Sequence, residues 1–415
     1  MVHPAYLICV PALLGVVLRP WGSKEELWAS AGAAALVLTG SLPLRLAADA
    51  VARGGDVYCF LIGMMLLAAT AQQVGLFEVA AGACVRLAQG SPRRLFALVY
   101  GMGAMVTVFL SNDATAVVLT PAVLAVTRQA RVEPLPYLLA CALVANAASF
   151  VLPVSNPANL VVFGNHLPAL GAWLGRFALA SLLSIAATYA VLRWRSRAAL
   201  SGAMASPPPQ KRLSSGGRCA AFGLAMTTVL LLGVSARGMA LGVPTLSAAA
   251  AVWIAASHFE RPARWTVLRQ MSWSVVPLVA GLFVIVAGLQ HAGLLDALTV
   301  GLQALMHRVP SAAAVLAGAA SAVVTNLMNN LPAGLIAGMM VAGPGHDELM
   351  RSAVAIGIDL GPNLSVTGSL ATILWLVAIR REGVDVSAWT FFKTGLLAMP
   401  MALLAALAGL WLQSV

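Results

Sequence analysis

Long apolar runs separated by short polar turns dominate the chain, and most approach the roughly 20 residues that cross a bilayer as a helix. Ten spans are read near 4–19, 27–45, 56–76, 136–167, 170–192, 219–236, 241–257, 274–293, 350–379 and 390–413. Two further apolar stretches, near 96–128 and 311–343, carry polar residues at their middles. They are read as re-entrant hairpins that enter and leave on one side. The expected fold class is an all-α polytopic membrane protein with two re-entrant hairpins and two broken helices.

Composition removes the soluble alternatives. Apolar residues make up 60% of the 415, mean hydropathy is +0.89, and charged residues are 9%, against roughly 25% in soluble domains. So few charges cannot cover the surface of a soluble enzyme or nucleic-acid binder of this size. The net charge of +11 then reads as the Lys and Arg excess of cytosolic loops. With Arg193–Arg218 placed in the cytosol, 19 of the 25 Lys and Arg fall on that side. Arg45, Arg53, Arg176, Arg237, Arg308 and Arg351 fall on the other, with both termini. Five scattered cysteines (Cys9, Cys59, Cys84, Cys141, Cys219) form no disulfide or metal pattern and read as packing residues. No Walker loop is present. No cofactor, metal or nucleic-acid partner is expected.

Self-comparison gives a constant offset of 218 residues. Leu13-Leu14-Gly15-Val16 with Arg19 matches Leu231-Leu232-Gly233-Val234 with Arg237. Gly63 matches Gly281, Gly75-Leu76-Phe77-Glu78 matches Gly293-Leu294-Leu295-Asp296, and Thr107 and Asn112 match Thr325 and Asn330. Five spans, an odd number, separate equivalent positions, so the halves are expected to insert with opposite orientation. Inverted repeats of this kind build secondary transporters, with substrate near the midplane where helices break. The expected organisation is an N-terminal repeat over 1–195, a polar cytosolic linker over 196–217, and a C-terminal repeat over 218–415.

Four polar clusters interrupt the apolar stretches. They are 110–115 with Ser111, Asn112, Asp113 and Thr115; 325–332 with Asn329 and Asn330; 153–159 with Ser155, Asn156 and Asn159; and 359–369 with Asp359, Asn363, Ser365 and Thr367. Asn, Ser, Gly and Pro favour turns and caps over helix interiors. Unwound backbone at membrane depth is tolerated only inside protein or along a wet cavity. Two hairpin tips and two broken helices would thus gather half-helix ends and amide and hydroxyl groups into one polar region. For any one cluster the alternative is a kink with interhelical hydrogen bonds. Asp113 and Asp359 lie inside apolar stretches, where an ionised carboxylate costs about 3 kcal/mol or more. They are read as proton-coupling groups or cation ligands, the alternative being caps on half-helix N-termini.

At Ser111-Asn112-Asp113 with Leu119-Thr120-Pro121, at Met328-Asn329-Asn330-Leu331-Pro332, and above all from Asp359-Leu360-Gly361-Pro362-Asn363 to Leu374-Trp375, the sequence resembles the arsenite efflux pump membrane subunit, the arsenical pump (ArsB) family of the ion transporter superfamily. The resemblance covers nearly the whole chain. It implies a multi-pass protein of the cell (inner) membrane that exports arsenite and antimonite in exchange for protons. It also implies a soluble arsenical-pump ATPase as a partner of some members. Carried over, Ser111, Asn112, Thr115, Ser155, Asn156, Asn159, Asn329, Asn330, Asn363, Ser365 and Thr367 would bind substrate, and Asp113 and Asp359 would couple protons. No Lys or Arg lies in the four clusters, which argues against a strongly anionic cargo. A sodium/proton antiporter using the two acids as cation ligands is the alternative. An intramembrane enzyme lacks a nucleophile–base pair, since no His lies in the clusters.

Overall fold

A computed structural model describes residues 4–205, 212–259, 264–341 and 348–414. Every regular element among them is a helix. Residues 206–211 of the expected linker, including its proline run, lie outside the described residues.

The first half contains α1 (Pro4–Leu18), α2 (Glu25–Leu38), α3 (Leu44–Arg53), α4 (Gly55–Gln73) and α5 (Leu76–Leu87). The first hairpin follows. Its outgoing arm is α6 (Pro92–Phe109), started by Ser91, whose hydroxyl accepts from the Arg94 amide, and by Pro92 at the first helical position. Its returning arm runs through the short turn α7 (Asn112–Ala114), a π-helical turn over Thr115–Leu119, and α8 (Thr120–Gln129). The widened turn has a local cause. Pro121 has no N–H and would clash with the carbonyl four residues back, and the Thr120 hydroxyl donates to the Thr115 carbonyl at 3.1 Å. Then come α9 (Leu135–Ala147), α10 (Pro157–Phe163) and α11 (Leu170–Arg195).

The second half contains α12 (Ser215–Ala236), α13 (Gly242–Phe259), α14 (Arg264–Gln270), α15 (Val275–His291) and α16 (Leu294–Arg308). The second hairpin is α17 (Pro310–Met328) and α18 (Asn330–Val341). It is followed by α19 (Glu348–Leu360), α20 (Leu370–Arg381) and α21 (Ala388–Ser414). Among the described residues, six stretches are long and apolar enough to cross a membrane: Gly55–Gln73, Leu170–Arg195, Ser215–Ala236, Gly242–Phe259, Trp265–His291 and Ala388–Gln413.

The span read over 27–45 is shorter in the structure: α2 ends at Leu38, and Leu44 begins the separate helix α3. The stretches 136–167 and 350–379 are each two half-helices separated by irregular backbone.

Packing recurs at corresponding places. The pairs are α2 on α15 and α4 on α13; α6 on α9 and α17 on α19; α10 on α18 and α20 on the returning arm of the first hairpin. Helices α11 and α21 form the most extensive contact of the molecule. Two glycines need their missing side chain for these contacts. A Cβ on Gly63 would lie 2.8 Å from the Leu246 amide nitrogen of α13, and one on Gly281 would lie 2.7 Å from the Ala29 backbone of α2. Gly75 and Gly293 both adopt positive φ, 72° and 81°, in the turns that start α5 and α16, a conformation glycine takes without penalty.

Candidate functional site

The four polar clusters all fall at helix interruptions. The first hairpin turns at Leu110–Ser111, where the Ser111 hydroxyl accepts from the Ala114 amide at 3.2 Å. Asn112 accepts from the Asp113 amide through Oδ1 at 2.9 Å. Thr115 is spent inside the hairpin: its hydroxyl lies 2.8 Å from that of Thr107, and the latter donates to the Gly103 carbonyl. The second hairpin turns at Asn329, which takes φ = 72° and ψ = 156°, a backbone conformation otherwise left almost entirely to glycine. Its Oδ1 accepts from the Leu331 amide at 3.4 Å. Asn112 and Asn330 are both buried, 2% and 3% exposed.

The two breaks are joined by asparagines. Asn156 accepts from the Ala158 amide at 3.0 Å, which caps α10, and its Nδ2 donates to Asp359 Oδ1 at 2.7 Å. Asp359 is 1% exposed, and its other oxygen has no hydrogen-bond partner among the described residues. The Asn159 amide donates to the Ser149 carbonyl at 2.9 Å, which closes the first break on itself. Ser155 donates to the Val108 carbonyl at 3.1 Å, which ties this break to the first hairpin. Asn363 donates to the Leu143 carbonyl at 3.0 Å and accepts from Asn146 Nδ2 at 2.9 Å. Ser365 donates to Asn326 Oδ1 at 2.6 Å, and Thr367 donates to the Asn326 carbonyl at 3.4 Å, so the second break is tied to the second hairpin.

Two cavities flank this region. The first encloses about 650 Å³ with its mouth and lies between α4, the first hairpin tip, the start of α10, α20 and the α14–α15 connection. Its polar lining is Gln72, Ser111, Asp113, Gln270 and Ser272, and Asp113 is the only ionisable residue in it among the described residues. The half-buried Asp113 carboxylate makes no hydrogen bond among the described residues. The second cavity encloses about 1370 Å³ with its mouth and is lined from α10, α18, the start of α4 and the α12–α13 turn, with Arg53, Asp56 and His166 among its residues. Pro157 of α10 lines the first cavity and Leu160–Phe163 line the second, so this one short helix borders both.

Of the residues singled out in the sequence, Ser111 and Asp113 thus face the first cavity. Asn156 and Asp359 meet one another, while Ser155, Asn159, Asn363, Ser365 and Thr367 join the breaks to themselves, to α9 or to the hairpins. Sequence reasoning names none of Asn146, Gln72 and Gln270 as a site residue. Asn146 sits in an unbroken apolar helix with no turn residue beside it, and the two glutamines lie at helix ends, where polar residues are ordinary.

Among the described residues, no group of three or more His, Cys, Asp or Glu is placed to hold a metal ion. The cavity chemistry is that of one carboxylate, two amides and two hydroxyls. Such a set can accept and donate hydrogen bonds to a small polyhydroxy solute but has no cation for an anion.

Comparison with known proteins gives the following. The family model described as CitMHS, Citrate transporter, matches residues 13–361. The arsenical pump membrane protein of Yersinia enterocolitica is 28% identical over 379 residues, covering 85% of each chain. That of Escherichia coli K12 is 28% identical over 369 residues, again covering 85% of each. Among solved structures, the YdaH transporter of Alcanivorax borkumensis is similar at a TM-score of 0.59 and 18% identity, covering 99% of this chain and 98% of that one. At that identity the likeness concerns the fold alone.

Proposed function

The chain belongs to the citrate-transporter (CitMHS) family, which makes it a membrane transporter rather than an enzyme, and from that premise we propose that it exports trivalent arsenite and antimonite in exchange for protons. The observation that carries the reading is the first cavity: one unpartnered carboxylate, Asp113, beside Ser111, Ser272, Gln72 and Gln270, with no Lys, Arg or His in the lining among the described residues. Arsenite near neutral pH is mainly an uncharged trihydroxide. Its hydroxyls can donate to a carboxylate and exchange hydrogen bonds with amides and serines. A citrate anion would meet Asp113 with no compensating cation, so the family's naming substrate does not suit this cavity. The similarity to arsenical pump membrane proteins over 85% of the chain supports the same choice.

Two inverted halves, 1–195 and 218–415, are part of this reading. The recurrent packing of α2 on α15 and α4 on α13 supports it, as does the matched behaviour of Gly63 with Gly281 and Gly75 with Gly293. The basic loops orient the protein with the linker in the cytosol and both termini outside the inner membrane. A soluble ATPase would then meet the basic side. Asp113 and Asp359 carry the proton-coupling role. Exchange of a neutral solute for one proton moves one charge, and ~100 mV then supplies about 2.3 kcal/mol, a gradient of roughly fiftyfold.

Everted vesicles with an imposed pH gradient separate the possibilities. Arsenite uptake should follow the proton gradient, with no sodium-dependent dequenching and no citrate uptake. Uptake that ignores the gradient refutes coupling; sodium-driven proton movement would favour the antiporter. Asp113→Asn should abolish transport at unchanged membrane abundance, and wild-type resistance in cells carrying it removes Asp113 from the mechanism.

A further inference from the structure

Away from the transport region, three arginines converge on one groove at the end of α11 that carries most of the basic residues. Arg93 from the first turn of α6, Arg193 from the last turn of α11 and Arg197 from the turn just beyond it line it together with Tyr189, Ala190, Trp194 and Leu200. The groove encloses about 1000 Å³ and is open along one side. No acidic residue lines it, and none of the three arginines forms an ion pair among the described residues. All three are exposed. Arg193 donates to the Tyr189 hydroxyl at 2.8 Å and leaves the rest of its guanidinium free, while Arg197 lies over the Trp194 ring at 5.9 Å.

The surroundings place this cluster at a membrane surface. Helix α11 is 26 residues long and carries no charged residue between Arg176 and the cluster. Trp194, 57% exposed, stands at its end, as amphipathic aromatics do at the headgroup level. Leu182, Ala186 and Ala190, all exposed, form a stripe at four-residue spacing that leads along α11 into the groove. The α6 N-terminus adds the positive end of its dipole beside Arg93.

We propose that this groove binds an anionic phospholipid, with its phosphate between Arg93, Arg193 and Arg197 and an acyl chain along Leu182, Ala186 and Ala190. Arginine forks suit phosphate oxygens, and basic pockets at helix ends are where anionic headgroups bind. The free acidic face of a soluble protein is the poorer occupant, because the apolar stripe continues into the region of lipid tails. The site would also act on the transport region. Arg93 starts the hairpin arm that leads to the tip holding Asp113, and α6 is held to α11 by the Tyr100 hydroxyl, which donates to the Ile185 carbonyl at 2.7 Å. A phosphate bridging Arg93 to Arg193 would clamp the hairpin arm to α11 a second time.

The test is native mass spectrometry of the full-length protein in detergent, titrated with phosphatidylglycerol, phosphatidylcholine or inorganic phosphate. Phosphatidylglycerol should form a saturable adduct that phosphatidylcholine does not form and excess inorganic phosphate does not displace. Each arginine removed should weaken the adduct about fivefold, so that the combined Arg93→Gln, Arg193→Gln and Arg197→Gln variant loses on the order of a hundredfold. Replacing the three by Lys should keep most of the affinity, which separates loss of the site from loss of the fold. A charge-matched control, Arg131→Gln, Arg195→Gln and Arg269→Gln, should bind as the wild type does. Equal loss in the control, equal binding of phosphatidylcholine, or displacement by inorganic phosphate would each overturn the proposal. Wild-type adducts on the Gln triple variant would do so too, and would leave the arginines to a soluble acidic partner.

Discussion

Asn156 holds two structures with one side chain, and replacing it offers a quantitative test of the join between the breaks. Its Oδ1 caps α10 through the Ala158 amide at 3.0 Å, and its Nδ2 is the donor to Asp359 Oδ1 at 2.7 Å. Asn156→Ala removes both. Loss of an N-cap costs about 1 kcal/mol and loss of a hydrogen bond to a buried acid roughly 1.5–3 kcal/mol, so the substitution should cost about 2.5–4 kcal/mol. The two parts can be separated. Asn156→Ser keeps a capping oxygen and should lose only the larger part. In an Asp359→Ala background the partner is already gone, and Asn156→Ala should then cost only the cap, about 1 kcal/mol. Reversible unfolding of the purified protein in mixed micelles with increasing dodecyl sulfate, followed by tryptophan fluorescence, gives the four free energies of the cycle. Equal cost of Asn156→Ala in both backgrounds would refute the bond between α10 and α19 as the source of the effect. Transport assays on Asn156→Ser then ask whether a capped but uncoupled α10 still works, and the reading above expects arsenite flux that follows the proton gradient less steeply.

Gly63→Ala and Gly281→Ala drive a methyl into the backbones of α13 and α2, and each should cost about 1–3 kcal/mol in the same unfolding assay. Gly101→Ala, on an exposed face of α6 with nothing within 4 Å of a Cβ, should be neutral or stabilising; a similar loss at all three positions would refute the packing argument. A variant with all five cysteines replaced by Ala should export arsenite within about twofold of wild type, since their role is packing, and loss of export with normal abundance would point to thiol coordination instead.

Much of this arrangement is legible in the sequence, and the reasons differ by element. The helix interruptions are visible because Asn, Ser, Gly and Pro are rare in apolar windows: Ser111, Asn156-Pro157, Asn329 and Gly361-Pro362 all lie at breaks. The short helices α3, α5, α14 and α16 escape a search for 20-residue apolar runs. In α3, Ala47 and Ala50 are buried while Arg45, Asp49 and Arg53 stay outside, a period-3.6 signal that mean hydropathy averages away. Partner choice inside the polar region is illegible for a different reason. Composition places Asn146, Asn156, Asn326 and Asn363 at membrane depth but gives no sign that Asn156 meets Asp359 across 203 residues of chain or that Asn146 meets Asn363 across 217. Those pairings follow from how α9, α10 and α19 come together. The division of Ser111 and Asp113 from the other polar residues, one set facing open space and the other consumed by bonds, likewise depends on side-chain placement.

The Asn146–Asn363 contact has a further consequence. Two amides that face each other through one hydrogen bond have a direction: here Asn146 gives and Asn363 receives, Asn363 spends its own N–H on Leu143, and the Asn146 oxygen has no partner among the described residues. If the halves are mates, this contact at their seam cannot treat them alike. One side always holds the idle carbonyl. Turning both amides over would face the Asn363 oxygen onto the Leu143 carbonyl and lose that bond, so the observed direction is favoured on the scale of a single hydrogen bond, about 1 kcal/mol. The join between α9 and the second break is thus set in one sense, and its idle end is always the Asn146 oxygen.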